Sequence, residues 1–295
     1  MCGIGGIYTT SGASFPIGEV KCLWESLEDR GTHAAGTSWL WEDADKPLTY
    51  KKPKPASAIS EVVERMEGKN TRYALFHTRY TTQGSTEYNG NNHPVLANRI
   101  ILTHNGMLSN DNRIFDITQL KRLHEVDSEA INAGLRYGGI EFVAKMIIGS
   151  ISIAWVDITQ NQQNVNLFTN GRNPLVIARV NGGQVVWASS LDHIEDAGFE
   201  IETHFNADPY KIYTLNRDTK GEVLITSKRV VDRMVEPMVV GRYRHAASYA
   251  QQVGYTSPST KKSKKTVKTT FTGKETVFNG MVYDPETQSW SNWRR

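Results

Sequence analysis

From residue 149 onward the chain is a succession of short apolar runs separated by turns, at 151–156, 165–169, 175–180, 185–188, 211–215 and 222–227. Runs of this length, interrupted this often, read as antiparallel strands. Helical periodicities stand beside them. Ile17, Val20, Leu23, Trp24 and Leu27 recur at helical spacing, predicting a helix over 17–30 that ends at Gly31. A tryptophan-containing strand at 38–41, a Lys and Pro loop at 47–55, a short helix at 57–66 and a strand at 72–76 are expected next. The segment HTRYTTQGSTEYNGNNHPV, 77–95, is polar and without periodicity, which predicts a functional loop rather than core. Residues 96–102 read as a strand running into THNGMLSN, Asp127 and Ser128 as the opening of a helix that continues through Ile131 and Leu135, and 191–197 as a helical piece. Several helices among many antiparallel strands fit an α+β arrangement of two stacked sheets covered by helices. No internal repeat is visible.

The 295 residues, 39% hydrophobic, suffice for one large core or two modest ones. The longest apolar runs fall well short of the roughly 18 residues needed to span a bilayer, and no basic segment followed by an apolar one opens the chain. The expectation is a cytoplasmic protein. Cys2 and Cys22 cannot build a disulfide framework or a Cys-rich metal site, so both are read as thiols, with Cys22 in the core of its helix. The formal charge of +3 is uneven: 231–295 carry 11 Lys plus Arg against 5 Asp plus Glu. A Lys, Ser and Thr run of this kind reads as a solvated linker rather than a nucleic-acid surface. The expected organisation is a domain over 1–230, an extension of its edge over 231–255, a linker over 256–274 and an aromatic tail over 275–295.

The opening MCGIGGIY carries the chemistry. A small residue at position 2 permits removal of Met1, which would leave Cys2 with both a thiol and a free α-amine. An α-amine titrates near 7.7–8.0 and a thiol near 8.5, so about neutral pH the amine can take the thiol's proton. Nucleophile and base then share one residue. The same stretch also reads as a buried first strand. Gly3, Gly5 and Gly6 do not make a dinucleotide fingerprint, since no strand precedes them and the full spacing is absent.

Four clusters then fall in order: MCGIGGI, RGTHAAG, HTRYTTQG with NNHPV, and HNGMLSN followed by VDSEAI. Together they resemble the glutaminase domain of class II glutamine amidotransferases, the N-terminal nucleophile hydrolases found in glucosamine-6-phosphate synthase and glutamine phosphoribosylpyrophosphate amidotransferase. The resemblance covers about residues 2–227 and implies a four-layer αββα sandwich. It implies that Cys2 attacks the side-chain amide of glutamine, giving a tetrahedral oxyanion, a γ-glutamyl thioester with release of ammonia, and glutamate after hydrolysis. It implies that the Asn105 side chain and the Gly106 N–H form the oxyanion hole, that Arg79 clamps the α-carboxylate, that Asp127 meets the α-ammonium, and that Thr82 and His93 add secondary contacts, with Tyr80 in a closing loop. A planar, permanently charged guanidinium suits a carboxylate. Other readings stay open: Asn-Gly is a hairpin signal, Arg79 could be a surface ion pair, and Asp127 a helix N-cap. His33 stands where the family usually has Asp, and Gln83 where the sugar-phosphate branch often has His. No cofactor or metal is implied.

The 68 residues after Ser227 show no synthase signature. The expectation is therefore glutamine as substrate and a separate synthase or ligase chain that receives ammonia, with the aromatic tail either its dock or folded back on its own domain. Two alternatives are an N-terminal nucleophile amidohydrolase on another γ-glutamyl or amide compound, and a catalytically silent binding module.

Overall fold

The computed structural model describes residues 1–66, 70–160 and 163–230, together with the strand segments 277–278, 281–284 and 289–292. The expected domain-edge extension at 231–255 and the linker at 256–274 lie outside the described residues. The first sheet has seven strands: β1 (Gly3–Tyr8), β2 (Ala34–Trp41), β3 (Leu48–Lys52), β4 (Thr71–Arg79), β9 (Val176–Val180), β10 (Gln184–Ala188) and β11 (Ile201–Asn206). Their order is β11-β9-β10-β1-β4-β2-β3, so the N-terminal strand is central. The second sheet joins β5 (Val95–Ala97), β6 (Ile100–Leu108), β7 (Gly149–Asp157), β8 (Val165–Thr169), β12 (Lys211–Arg217) and β13 (Val223–Arg229) in the order β13-β12-β8-β7-β6-β5. Every pairing in both is antiparallel.

Among the described residues four helices complete the layers: α1 (Ile17–Ser26), α2 (Asp111–Thr118), α3 (Ser128–Met146) and α4 (Leu191–Asp196). The period-2 alternation of strand side chains decides what each layer buries. From β1, Ile4 and Tyr8 enter the core between the sheets, while Ile7 faces outward to Val20, Leu23 and Trp24 of α1 and Ile194 of α4. From β6, Ile101 joins the inter-sheet core, while Ile100 and Leu102 face Ile114 of α2 and Ile131 of α3. The result is the expected αββα sandwich. A separate sheet of β14 (Val277–Phe278), β15 (Met281–Asp284) and β16 (Ser289–Asn292) is formed by the tail.

Several expectations need correction. The predicted helix 17–30 is α1 followed by a 3₁₀ turn at Leu27–Arg30, and the segment expected at 57–66 is 3₁₀ at Ser60–Met66. The Lys and Pro loop contains an edge strand, β3. Cys22 is exposed, because it lies on the solvent side of α1 rather than with Val20, Leu23 and Trp24. The strand expected over 96–102 turns back on itself between β5 and β6, where Asn98 and Arg99 take positive φ of 54° and 64°; two such residues form the tight hairpin connection that twisted strands favour. The strand β11 and the helix α2 were not anticipated. Finally, α3 is interrupted at Gly138 and Gly139, the latter at φ 69°.

Candidate active site

The polar segment 77–95 begins inside a strand and is buried at both ends, where His77, Thr78, Arg79, Asn89, Asn91, Asn92 and His93 are inside, while 80–88 form the expected loop at the surface. The physical reason is mutual satisfaction, since a buried polar group is tolerated where it finds a partner. Asn92 donates from Nδ2 to the Thr86 carbonyl at 2.7 Å and accepts on Oδ1 from Arg79 Nη1 at 2.7 Å; Asn91 Nδ2 donates to Ser85 O and to Glu125.

The register of β1 against β4 pairs Gly3 with Thr78, which carries Cys2 to the end of the ladder beside Arg79. The stretch is thus a buried first strand that presents a thiol at its mouth. The glycines of β1 admit close neighbours: a Cβ on Gly6 would overlap the Trp187 ring. The half-buried Cys2 thiol donates to the Tyr80 carbonyl at 3.6 Å, and Arg30 Nε donates to the Cys2 carbonyl at 3.1 Å. Burial pushes the thiol pKa up, opposed by the Tyr80 backbone, the chain's terminal ammonium and Arg79.

Cys2, Arg79, Tyr80, Thr82, His93, Gly106 and Asp127 line one pocket of about 260 Å³, mouth included, together with Gln83, His104, Val126 and Ser128. Arg79 is 3% exposed, and its guanidinium donates to Asn92 Oδ1, to the Gln83 carbonyl and to the Gly84 carbonyl at 3.0 Å. No carboxylate among the described residues pairs with it, so the surface ion pair is not what the fold makes of this residue. Its hydrogen bonds go to neutral groups, while the Asp127 carboxylate and the Cys2 thiol act on its charge through space. Asp127, 6% exposed, stands at the N-cap position of α3, but its side chain makes no capping hydrogen bond. Its Oδ2 instead accepts the Leu108 N–H at 2.6 Å.

Asn105 and Gly106 lie inside β6, paired with Ser152 and Ile151 of β7, and not in a hairpin turn. Only glycine fits at 106, because a Cβ there would overlap the Ser150 carbonyl oxygen and the His104 ring. Asn105 is 1% exposed; its main-chain carbonyl accepts Asn173 Nδ2 at 2.9 Å and its own Nδ2 is buried without a protein partner. An amide donor in that state is suited to an oxygen that arrives with a ligand.

Of three neighbouring buried imidazoles, His93 and His104 line the pocket and His77 stands behind them. His93 and His77 stack at 4.1 Å and 17°, and neither ring nitrogen of His93 has a protein partner. His77 Nε2 donates to the His104 carbonyl at 3.1 Å. His104 Nε2 lies 3.2 Å from the Ser150 carbonyl and its Nδ1 2.9 Å from Ser128 Oγ, so the neutral ring donates to the former and accepts from the latter. Burial lowers all three pKa values, that of His77 to about 3. Reading from sequence did not single out His77, His104 or Ser128, although each adjoins a motif residue. His33 sits on the rim: its Nδ1 accepts the Thr81 N–H at 3.0 Å and its ring packs on Tyr80, so it supports the loop whose carbonyl meets Cys2.

Two antiparallel sheets faced by helices, with a thiol at the head of the central strand, define the fold of the N-terminal nucleophile hydrolases. The solved glutamine phosphoribosylpyrophosphate amidotransferase from B. subtilis, complexed with ADP and GMP, shares that fold at a TM-score of 0.60 and 22% identity, over 79% of this chain and 50% of that one. Residues 77–196 match the family described as glutamine amidotransferase domain. The match covers 120 of the 295 residues, and over that stretch the chain is similar to glutamine amidotransferase domains. Among curated relatives, a 7-cyano-7-deazaguanine synthase from Saccharolobus solfataricus is 24% identical over 245 residues, 78% of this chain and 50% of the relative. A glutamine–fructose-6-phosphate aminotransferase (isomerizing) from Streptococcus pneumoniae is 27% identical over 218 residues, 69% of this chain and 34% of the relative. The chain thus spans between a third and a half of the length of these relatives. No helix among the described residues is long and apolar enough to cross a membrane.

Proposed function

We propose that this protein hydrolyses the side-chain amide of glutamine through Cys2, freed by removal of Met1, and supplies ammonia to an acceptor enzyme on a separate chain. The observation that carries the reading is the buried, unpaired Arg79 in the same pocket as Cys2 and Asp127. A cation and a carboxylate that share a pocket without bonding each other suit the two ends of a free amino acid. The α-carboxylate would take Arg79 and the α-ammonium Asp127, leaving the side-chain amide to Cys2.

In the chemistry that follows, the Cys2 thiol gives its proton to the α-amine of Cys2 as its sulfur adds to the amide carbon. The oxyanion would be met by Asn105 Nδ2 and the Gly106 N–H. The proton returns to the departing nitrogen, which leaves as ammonia; water then cleaves the thioester to glutamate and restores the thiol. Thr82 and His93 are proposed as further contacts to glutamine. Ammonia released into water would be protonated and diluted, so an acceptor chain covering the pocket is part of the proposal. The names of the relatives, a synthase and an aminotransferase, support a nitrogen-using partner. The tail at 275–295 is the proposed dock, and deletion after Lys274 should abolish capture of the acceptor chain.

The test is release of glutamate and ammonia from glutamine by the purified protein, with intact mass reporting Met1 and Cys2→Ala as control. Activity abolished in the control supports the reading. Processed protein that remains inactive with candidate acceptors added would sink it.

A further inference from the structure

Lys51 is on β3, the edge strand, and half-buried, yet its ammonium reaches inward to main-chain carbonyls. Its Nζ donates to the Asn92 carbonyl at 2.6 Å and the Pro94 carbonyl at 3.0 Å, and its own carbonyl accepts Asn89 Nδ2 at 2.9 Å. Three bonds therefore tie β3 to the segment 89–94, the segment whose Asn92 side chain holds Arg79 at 2.7 Å and whose His93 lines the pocket. No carboxylate among the described residues pairs with Lys51. The charged and titratable groups around it are Arg79 and His77 from β4, His93 from the segment itself and His124 ahead of α3.

A half-buried lysine with cationic and imidazole side chains around it is costly, and a methionine would fill the space without that cost. What methionine cannot do is bridge two carbonyls of a segment that has no ladder of its own. We infer that Lys51 is a positioning residue of the pocket: it fixes the main chain at 92–94 and through Asn92 sets the direction of the Arg79 fork. The inference rests on the reading of the pocket as a glutamine site. Burial, and secondarily Arg79, lowers the Lys51 pKa to about 7; the neutral amine still donates to both carbonyls, so the tether survives across neutral pH.

The experiment compares full-length wild type, Lys51→Met and Lys51→Gln by glutamine kinetics and by hydrogen exchange of the 89–95 amides. Lys51→Met should raise KM for glutamine about tenfold or more, change kcat less than about threefold, and speed exchange at 89–95 while leaving β6 protected. Lys51→Gln, a neutral donor of similar reach, should recover most of both effects and carries the test if the methionine variant does not fold. Unchanged KM with unchanged exchange overturns the inference, as does a fall in kcat with exchange raised throughout, which would mark a merely structural role. If wild type does not hydrolyse glutamine, the functional reading fails by itself; 89–95 exchange at the wild-type rate would still overturn the tether.

Discussion

Arg79 shows how a residue's surroundings decide its role. Its guanidinium is held by Asn92 and two loop carbonyls, so its direction is set before any ligand arrives. Each hydrogen bond to a charged group contributes about 1.5–3 kcal/mol. Arg79→Ala should therefore lower kcat/KM for glutamine about 100-fold, mostly through KM, and Arg79→Lys should retain the charge yet recover little, because one ammonium cannot replace a fork. Steady-state kinetics decides; an unchanged KM would remove Arg79 from the substrate. Asn105 belongs to the other part of the chemistry. Loss of one oxyanion donor costs about 100- to 1000-fold in kcat, so Asn105→Ala should show that loss with little change in KM.

At the scale of elements, the pocket exists because two strands from different sheets end together: β1 with β4 brings Cys2 to Arg79, and β6 beside β7 brings Gly106 to the same mouth. The helix α1 holds the first of these from behind. Its Trp24 is fully buried, packs on Phe76 at 5.4 Å and donates from Nε1 to the His77 carbonyl at 3.3 Å. Trp24→Ala should cost about 3–5 kcal/mol of stability, read as a lowered urea midpoint. It should also loosen the β4 end that carries Arg79. A midpoint equal to wild type would show that α1 is not what supports this strand.

For the whole molecule, the buried imidazoles make stability depend on pH with a definite sign. His77 and His124 are lowered by burial to about 3 and about 4, against about 6.5 in an unfolded chain. As pH falls below about 6.5 the unfolded chain binds protons that the native one refuses, so stability present above that pH is lost progressively toward pH 3–4. Lys51, near 7 against about 10.4 unfolded, acts with the same sign at higher pH: stability rises as pH climbs from about 7. Calorimetry at pH 5 and pH 8 should place the melting temperature several degrees lower at the acid end. Equal values would contradict the buried, neutral state of these rings.

The αββα architecture and the site motifs were legible in the residues because strand alternation and helical spacing are local, and because Cys2, Arg79, Asn105, Gly106 and Asp127 sit in short recognisable strings. The edge strand β3, the turn at Asn98–Arg99 and the exposure of Cys22 were not, since each depends on what packs alongside. Only the tertiary structure decided that the polar residues at 77–79 and 89–93 go inside while those between them stay at the surface. Polarity along a chain measures the cost of burying each group alone, whereas in the fold Asn92 meets Arg79 and Lys51 meets the carbonyls of Asn92 and Pro94, so that cost is largely offset by partners distant in sequence. The same holds for Asn105–Gly106: two residues that spell a turn by themselves become strand once β7 supplies the opposite side of the ladder.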